Sequence, residues 1–68
     1  MKDLALIVGR NIRHMRKART ISQDKLALTS DIDRSYIGRI ERGEVNITLE
    51  KLYKIATVLE CDAKELLP

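Results

Sequence analysis

Phenylalanine and tryptophan are absent from the 68 residues, and the aromatic side chains are limited to Tyr36 and Tyr53. A core must then be built from Leu, Ile, Val, Ala and Met, which favours helices over a small β-barrel. The single cysteine, Cys61, excludes an intramolecular disulfide and has no Cys or His partner at metal-ligand spacing. It reads as small apolar filler near a helix end, in a reduced, cytoplasmic setting. Long hydrophobic runs are also missing. Leu4 to Val8, which follows the charged pair Lys2 and Asp3, is too short for a signal peptide or a membrane span. The lone His14 has no nucleophile spaced for chemistry, and no glycine-rich phosphate loop or metal cluster occurs. Catalytic residues, metal ligands, a cofactor and a small-molecule effector are therefore not expected.

Charge is present and unevenly placed. Residues 1–42 hold ten Lys or Arg against five Asp or Glu, whereas residues 43–68 hold three against five. A basic first part suits a polyanionic partner, and the mildly acidic remainder suits a second duty such as self-association. Breakers are few: Gly9, Gly38, Gly43 and Pro68, of which Gly43 is placed to stop a helix. Start and stop signals predict five helices at about 3–18, 22–29, 33–42, 48–59 and 62–67, an all-α five-helix bundle filling 1–68 as a single domain. Ser22, Asp33, Thr48 and Asp62 stand at capping positions, with Glu65 completing a capping-box variant after Asp62. The link from Ser30 to Ile32 allows only a tight turn, with Asp31 able to take a left-handed conformation, so helices two and three must cross steeply.

On a helical wheel, Leu4, Val8, Ile12 and Met15 of helix one form the buried stripe, with Ala5 beside them. Arg10, Arg13, His14 and Lys17 lie opposite, but Arg16 borders the apolar stripe. In the third helix Arg34, Ser35, Gly38, Arg39 and Arg42 share one face, Ile37, Ile40 and Glu41 the other, and Tyr36 sits between. Every charge on that outer face is Arg, whose planar fork matches guanine O6 and N7 or a phosphate. A mid-helix glycine costs about 1 kcal/mol relative to Ala. Gly38 on the outer face therefore signals close approach by a base-pair edge. Glu41 and Arg16, each misplaced toward the core, are expected to pair and tie helix one to helix three.

The linked elements are an Arg in helix one, Ser22 and Gln23 opening helix two, Leu26 and Ala27, the run Ile-Glu-Arg-Gly at 40–43, and Leu52 to Leu59 in helix four. Together they resemble the Cro and phage-repressor type (XRE-like) of helix-turn-helix regulator, with a lambda-repressor-like DNA-binding fold, over nearly the whole chain. The run DRSYIGRIERG followed by NITL is most similar to controller proteins of restriction-modification systems. Similar runs occur in longer repressors and in small antitoxins, and the residues leave these alternatives open. The resemblance implies a helix-turn-helix at 23–42 that binds double-stranded operator DNA. Gln23 would contact a phosphate and buttress the first recognition residue, and Arg34 and Ser35 would touch bases. Arg39 and Arg42 would reach bases or flanking phosphates, Tyr36 a phosphate or the groove edge, and Asn46 a phosphate. Position 31, most often Gly in the family's turn, is Asp here.

One recognition helix reads only a few base pairs, so binding as a homodimer to a pseudo-palindromic operator is expected. On helix four, Leu49, Leu52, Ile55, Ala56 and Leu59 form the core stripe. The apolar residues left over, Ile47, Tyr53, Val58 and Leu67, are the interface candidates. An operator-bound dimer acts on transcription by blocking RNA polymerase or by offering it a contact surface, and the residues decide neither. The rival reading is a helical interaction module, such as an antitoxin, whose Arg face binds an acidic protein. Membrane insertion of basic helix one conflicts with the need for its apolar face in the core.

Overall fold

The computed structural model describes residues 3–68, so Lys2 of the early charged pair lies outside the described residues. Four α-helices and a closing 3-10 turn follow in order: α1 (Leu4–Ala18), α2 (Gln23–Ser30), α3 (Arg34–Glu41), α4 (Leu49–Val58) and the turn Ala63–Leu66. Side-chain oxygens of Ser22, Asp33 and Thr48 accept from the backbone N–H of Lys25, Ser35 and Lys51, at 3.0, 3.1 and 3.2 Å. Each satisfies a first-turn donor that the helix itself leaves unpaired.

The expected fifth helix is a single 3-10 turn. Glu65 reaches back to accept from the Asp62 N–H at 3.0 Å, but Leu67 is already extended (φ −97°, ψ 157°). Pro68 explains this, because a proline ring disfavours helical backbone at the residue before it.

All four α-helices end alike. Thr20, Asp31, Gly43 and Glu60 take left-handed φ of 58°, 59°, 75° and 56°. The next N–H then returns to a carbonyl of the last turn: Ile21 to Arg16, Ile32 to Ala27, Glu44 to Arg39 and Cys61 to Ala56. Reversing the chain this way satisfies carbonyls at the helix ends.

α3 packs against α1 and α2, α2 also meets α4, and the 3-10 turn closes onto α4 and α1. The side chains of Ile12, Leu26, Ile37, Ile40, Leu52, Ile55, Leu59 and Leu66 are fully buried between them. Truncating such a residue costs about 2–5 kcal/mol. Two residues expected in the core stripes stand outside it: Leu49 is 73% exposed and Leu4 37%. Each lies in the first turn of its helix, at the rim of an apolar cleft that the two share with Val45, Ile47 and Leu67. Cys61 packs against the core, and burial pushes its thiol pKa up, with Glu65 adding to the effect.

Candidate nucleic-acid interface

The connection between α2 and α3 is built from short-range hydrogen bonds and two buried side chains. Ser30 is buried and its hydroxyl donates to the Leu26 carbonyl at 2.6 Å; Ile32 is buried in the core. Asp31 between them supplies the left-handed residue. Asp33 then starts α3, its carboxylate accepting from both the backbone N–H and the hydroxyl of Ser35. The Ser35 hydroxyl bond, with backbone N–H groups of Ser35 and Tyr36, holds the Asp33 carboxyl below its ordinary pKa. In the free chain the Ser35 hydroxyl is thus committed to the cap.

Arg34, Arg39 and Arg42 line the outer face of α3, their side chains 56%, 52% and 58% exposed. Each has a carboxylate neighbour. Arg34 Nε donates to Asp24 Oδ1 at 3.0 Å, Arg42 Nε to Glu44 Oε2 at 2.7 Å, and Arg39 Nε stands 3.8 Å from Glu44 Oε1. The hydrogen bond from Arg42, then the charges of Arg42 and Arg39, lower the Glu44 pKa.

Gly38 is not the open patch that its wheel position suggests. It is buried because the heads of Arg42 and Arg34 fold over it: a Cβ there would stand 3.1 Å from Arg42 Nη1 and 3.8 Å from Arg34 Nη1. The cover consists of flexible side-chain ends, so the approach to the backbone opens when the arginines move. Tyr36 is half-buried against the core, with Lys51 Nζ of α4 5.5 Å from its ring centroid. Asn46 is exposed in the loop that follows α3.

Behind this face lies a buried polar cluster. Arg16 grips Glu41 through two bonds, Nε to Oε2 at 2.7 Å and Nη2 to Oε1 at 3.0 Å, and its Nη1 donates to the Ile21 carbonyl at 2.8 Å. Gln23 Nε2 donates to the same Glu41 Oε1 at 3.0 Å. The Glu41 side chain is 1% exposed and that of Arg16 10%. Among the described residues no buried side-chain polar atom lacks a partner, which is the condition under which a buried ion pair is tolerated. The cluster joins α1, the α1–α2 link, α2 and α3 at one point, and it occupies an amide N–H of Gln23 internally.

Gly9 escapes a reading based on periodicity. A Cβ there would collide with the Ile40 carbonyl oxygen and lie 3.0 Å from that of Glu41, so the end of α3 rests directly on the α1 backbone. The available signal was its position: Gly9 is seven residues before Arg16, two turns away on the same helix face.

Of the interface candidates, Ile47 and Val58 are half-buried and pack against the core, while Tyr53 is 62% exposed and Leu67 42%. Leu49, one turn before Tyr53, is exposed beside it on α4. No described helix is long and apolar enough to cross a membrane, and no group of three His, Cys, Asp or Glu among the described residues is placed to hold a metal ion.

The family model described as helix-turn-helix matches residues 12–66. The control protein C.BamHI of Bacillus amyloliquefaciens is 38% identical over 66 residues, covering 96% of this chain and 82% of its own. The crystal structure of the restriction-modification controller protein C.AhdI from Aeromonas hydrophila superposes with a TM-score of 0.90 at 40% identity, over 93% of this chain and 96% of that one. SinR, a master regulator for biofilm formation solved in complex with DNA, superposes with a TM-score of 0.83 at 30% identity, over 87% of this chain and 95% of that one. With its short α2–turn–α3 unit and its basic outer helix face, the chain belongs to the XRE-type helix-turn-helix family.

Proposed function

We propose that this protein is a sequence-specific, double-stranded-DNA-binding transcriptional regulator, with α3 lying in the major groove. The observation that carries the reading is the run of three arginines around Gly38, on a helix whose opposite face is locked to α1 and α2 by Glu41. Arg34 and Ser35, at the start of α3, are the base-contacting pair, with Ser35 exchanging its cap bond for a base. Arg39 and Arg42 reach bases or flanking phosphates, and Tyr36, Gln23 and Asn46 contact the backbone, which fixes register without carrying sequence. Gln23 does so with the part of its amide that Glu41 leaves free.

Action as a homodimer follows from the small reach of one helix. Tyr53 and Leu67, joined by Leu49, form the apolar surface that a second copy would cover, and Ile47 and Val58 support it from the edge of the core. A role as controller of a restriction-modification system is supported by the likeness to C.BamHI and C.AhdI across most of their own lengths. RNA polymerase is then the machinery on which an occupied operator acts, in the cytoplasm.

Selection of bound duplexes from a random pool tests the whole reading. A two-fold symmetric motif, shifted in a gel at low salt, is the expected result. No shift on any duplex would instead favour the acidic-protein-partner reading.

A further inference from the structure

The carboxylates beside the recognition arginines are placed by the fold. Gly43 reverses the chain in the left-handed region, and the Glu44 N–H then donates to the Arg39 carbonyl at 2.9 Å. Residue 44 is thereby pinned to the last turn of α3, and its carboxylate falls between Arg39 and Arg42. Glu44 takes one edge of the Arg42 guanidinium, through Nε at 2.7 Å and Nη2 at 3.5 Å. Asp24, from α2, takes Arg34 on the same side through a single bond from Nε. In both arginines the Nη1 corner is left lying over Gly38.

A guanidinium has two edges that can grip an acceptor pair. With the Nε side occupied by a carboxylate, the Nη1–Nη2 end is free for guanine O6 and N7. The internal negative charge also opposes a phosphate that would take the same arginine. Binding to non-matching DNA rests almost entirely on phosphate neutralisation, whereas a matching site adds base contacts. An internal anion at this position weighs against the first more than the second.

We propose that Glu44, seconded by Asp24, is a specificity-determining residue: it orients the recognition arginines end-on toward the groove and suppresses their capture by backbone phosphates. The inference rests on the reading of α3 as the DNA-facing helix.

The test compares the parent chain with Glu44→Gln on two probes, the duplex enriched from a random pool and a scrambled duplex of equal length, by fluorescence anisotropy across a salt series. Glu44 is half-exposed, so the variant folds, and its melting curve serves as the control. On the scrambled duplex, Glu44→Gln tightens binding about tenfold at low salt and steepens the salt slope by about 0.9, the value of one added phosphate contact. On the enriched duplex it changes binding by less than about threefold, because base contacts already hold the arginines there. Asp24→Asn moves both probes in the same direction by less, as its pair is the more exposed. Unchanged or improved discrimination in Glu44→Gln overturns the proposal. Arg34→Ala, run in parallel, separates the two levels: if it loses nothing on the enriched duplex, the DNA-facing reading fails and this inference with it. If Arg34→Ala loses binding while Glu44→Gln keeps its discrimination, this inference alone falls.

Discussion

Around Glu41 an arginine and a carboxylate meet with 10% and 1% of their side chains exposed; around Glu44 the same chemistry meets with about half of each in water. The buried pair is bidentate, and it is further bonded by the Ile21 carbonyl, which accepts from Arg16, and the Gln23 amide, which donates to Glu41. It has nothing to exchange with and serves as architecture. The exposed pairs are screened by solvent and salt and contribute little to stability, so they are free to act on what the arginines meet outside the fold. Burial, more than residue type, separates a residue that positions the proposed reading face from one that forms it.

Breaking the buried side carries the largest effect. Glu41→Gln leaves Arg16 buried without its counter-charge, at a cost of about 3–5 kcal/mol. For a chain of this size each kcal/mol lowers Tm by about 4–8 °C. The melting point should therefore drop by well over 10 °C, and a change of a degree or two would show that the pair does not hold α1 to α3. Gly9→Ala comes next. The atoms it meets are backbone carbonyls that cannot rotate aside, and overpacking of this kind costs about 1–3 kcal/mol; an unchanged thermal melt would refute the close contact between α1 and α3. Gln23→Ala removes a single bond to a carboxylate that Arg16 still grips, so about 1 kcal/mol is expected, together with equal weakening on matched and unmatched duplexes.

The smallest effect lies in acid. The pKa values of Glu44 and Asp33 are lowered in the folded chain from ordinary values of 4.5 and 3.8. Stability from these groups is complete above the ordinary values and is lost as pH falls through the lowered ones. Thermal melts of Glu44→Gln and the parent should therefore differ by a constant amount between pH 7 and 5 and converge only in stronger acid.

The same contrast explains what could be read from the residues. Start and stop signals place α1, α2, α3 and α4 to within a residue or so of their observed ends, because caps and breakers are local signals. Arg16 and Glu41 stood out because a charge on an apolar face has few explanations. The wheel puts Leu49 and Leu4 in the core because it registers direction but not depth, and both stand at the rim of an apolar cleft. The left-handed ends at Thr20 and Glu60 left no mark in the residue types, since neither Thr nor Glu favours that conformation. Gly9 and the carboxylate neighbours of the arginines depend on distances between elements, which one-dimensional spacing does not contain.

In the proposed function the outer face of α3 reads sequence while the inner face only holds it in place. Its most direct test is the ratio of Kd values on enriched and scrambled duplexes for Arg34→Ala. Loss of about 1–3 kcal/mol on the enriched duplex, with relaxed preference at one position of the motif, is the predicted result, and Tm should stay unchanged. Equal loss on both duplexes would contradict a base-reading role for Arg34.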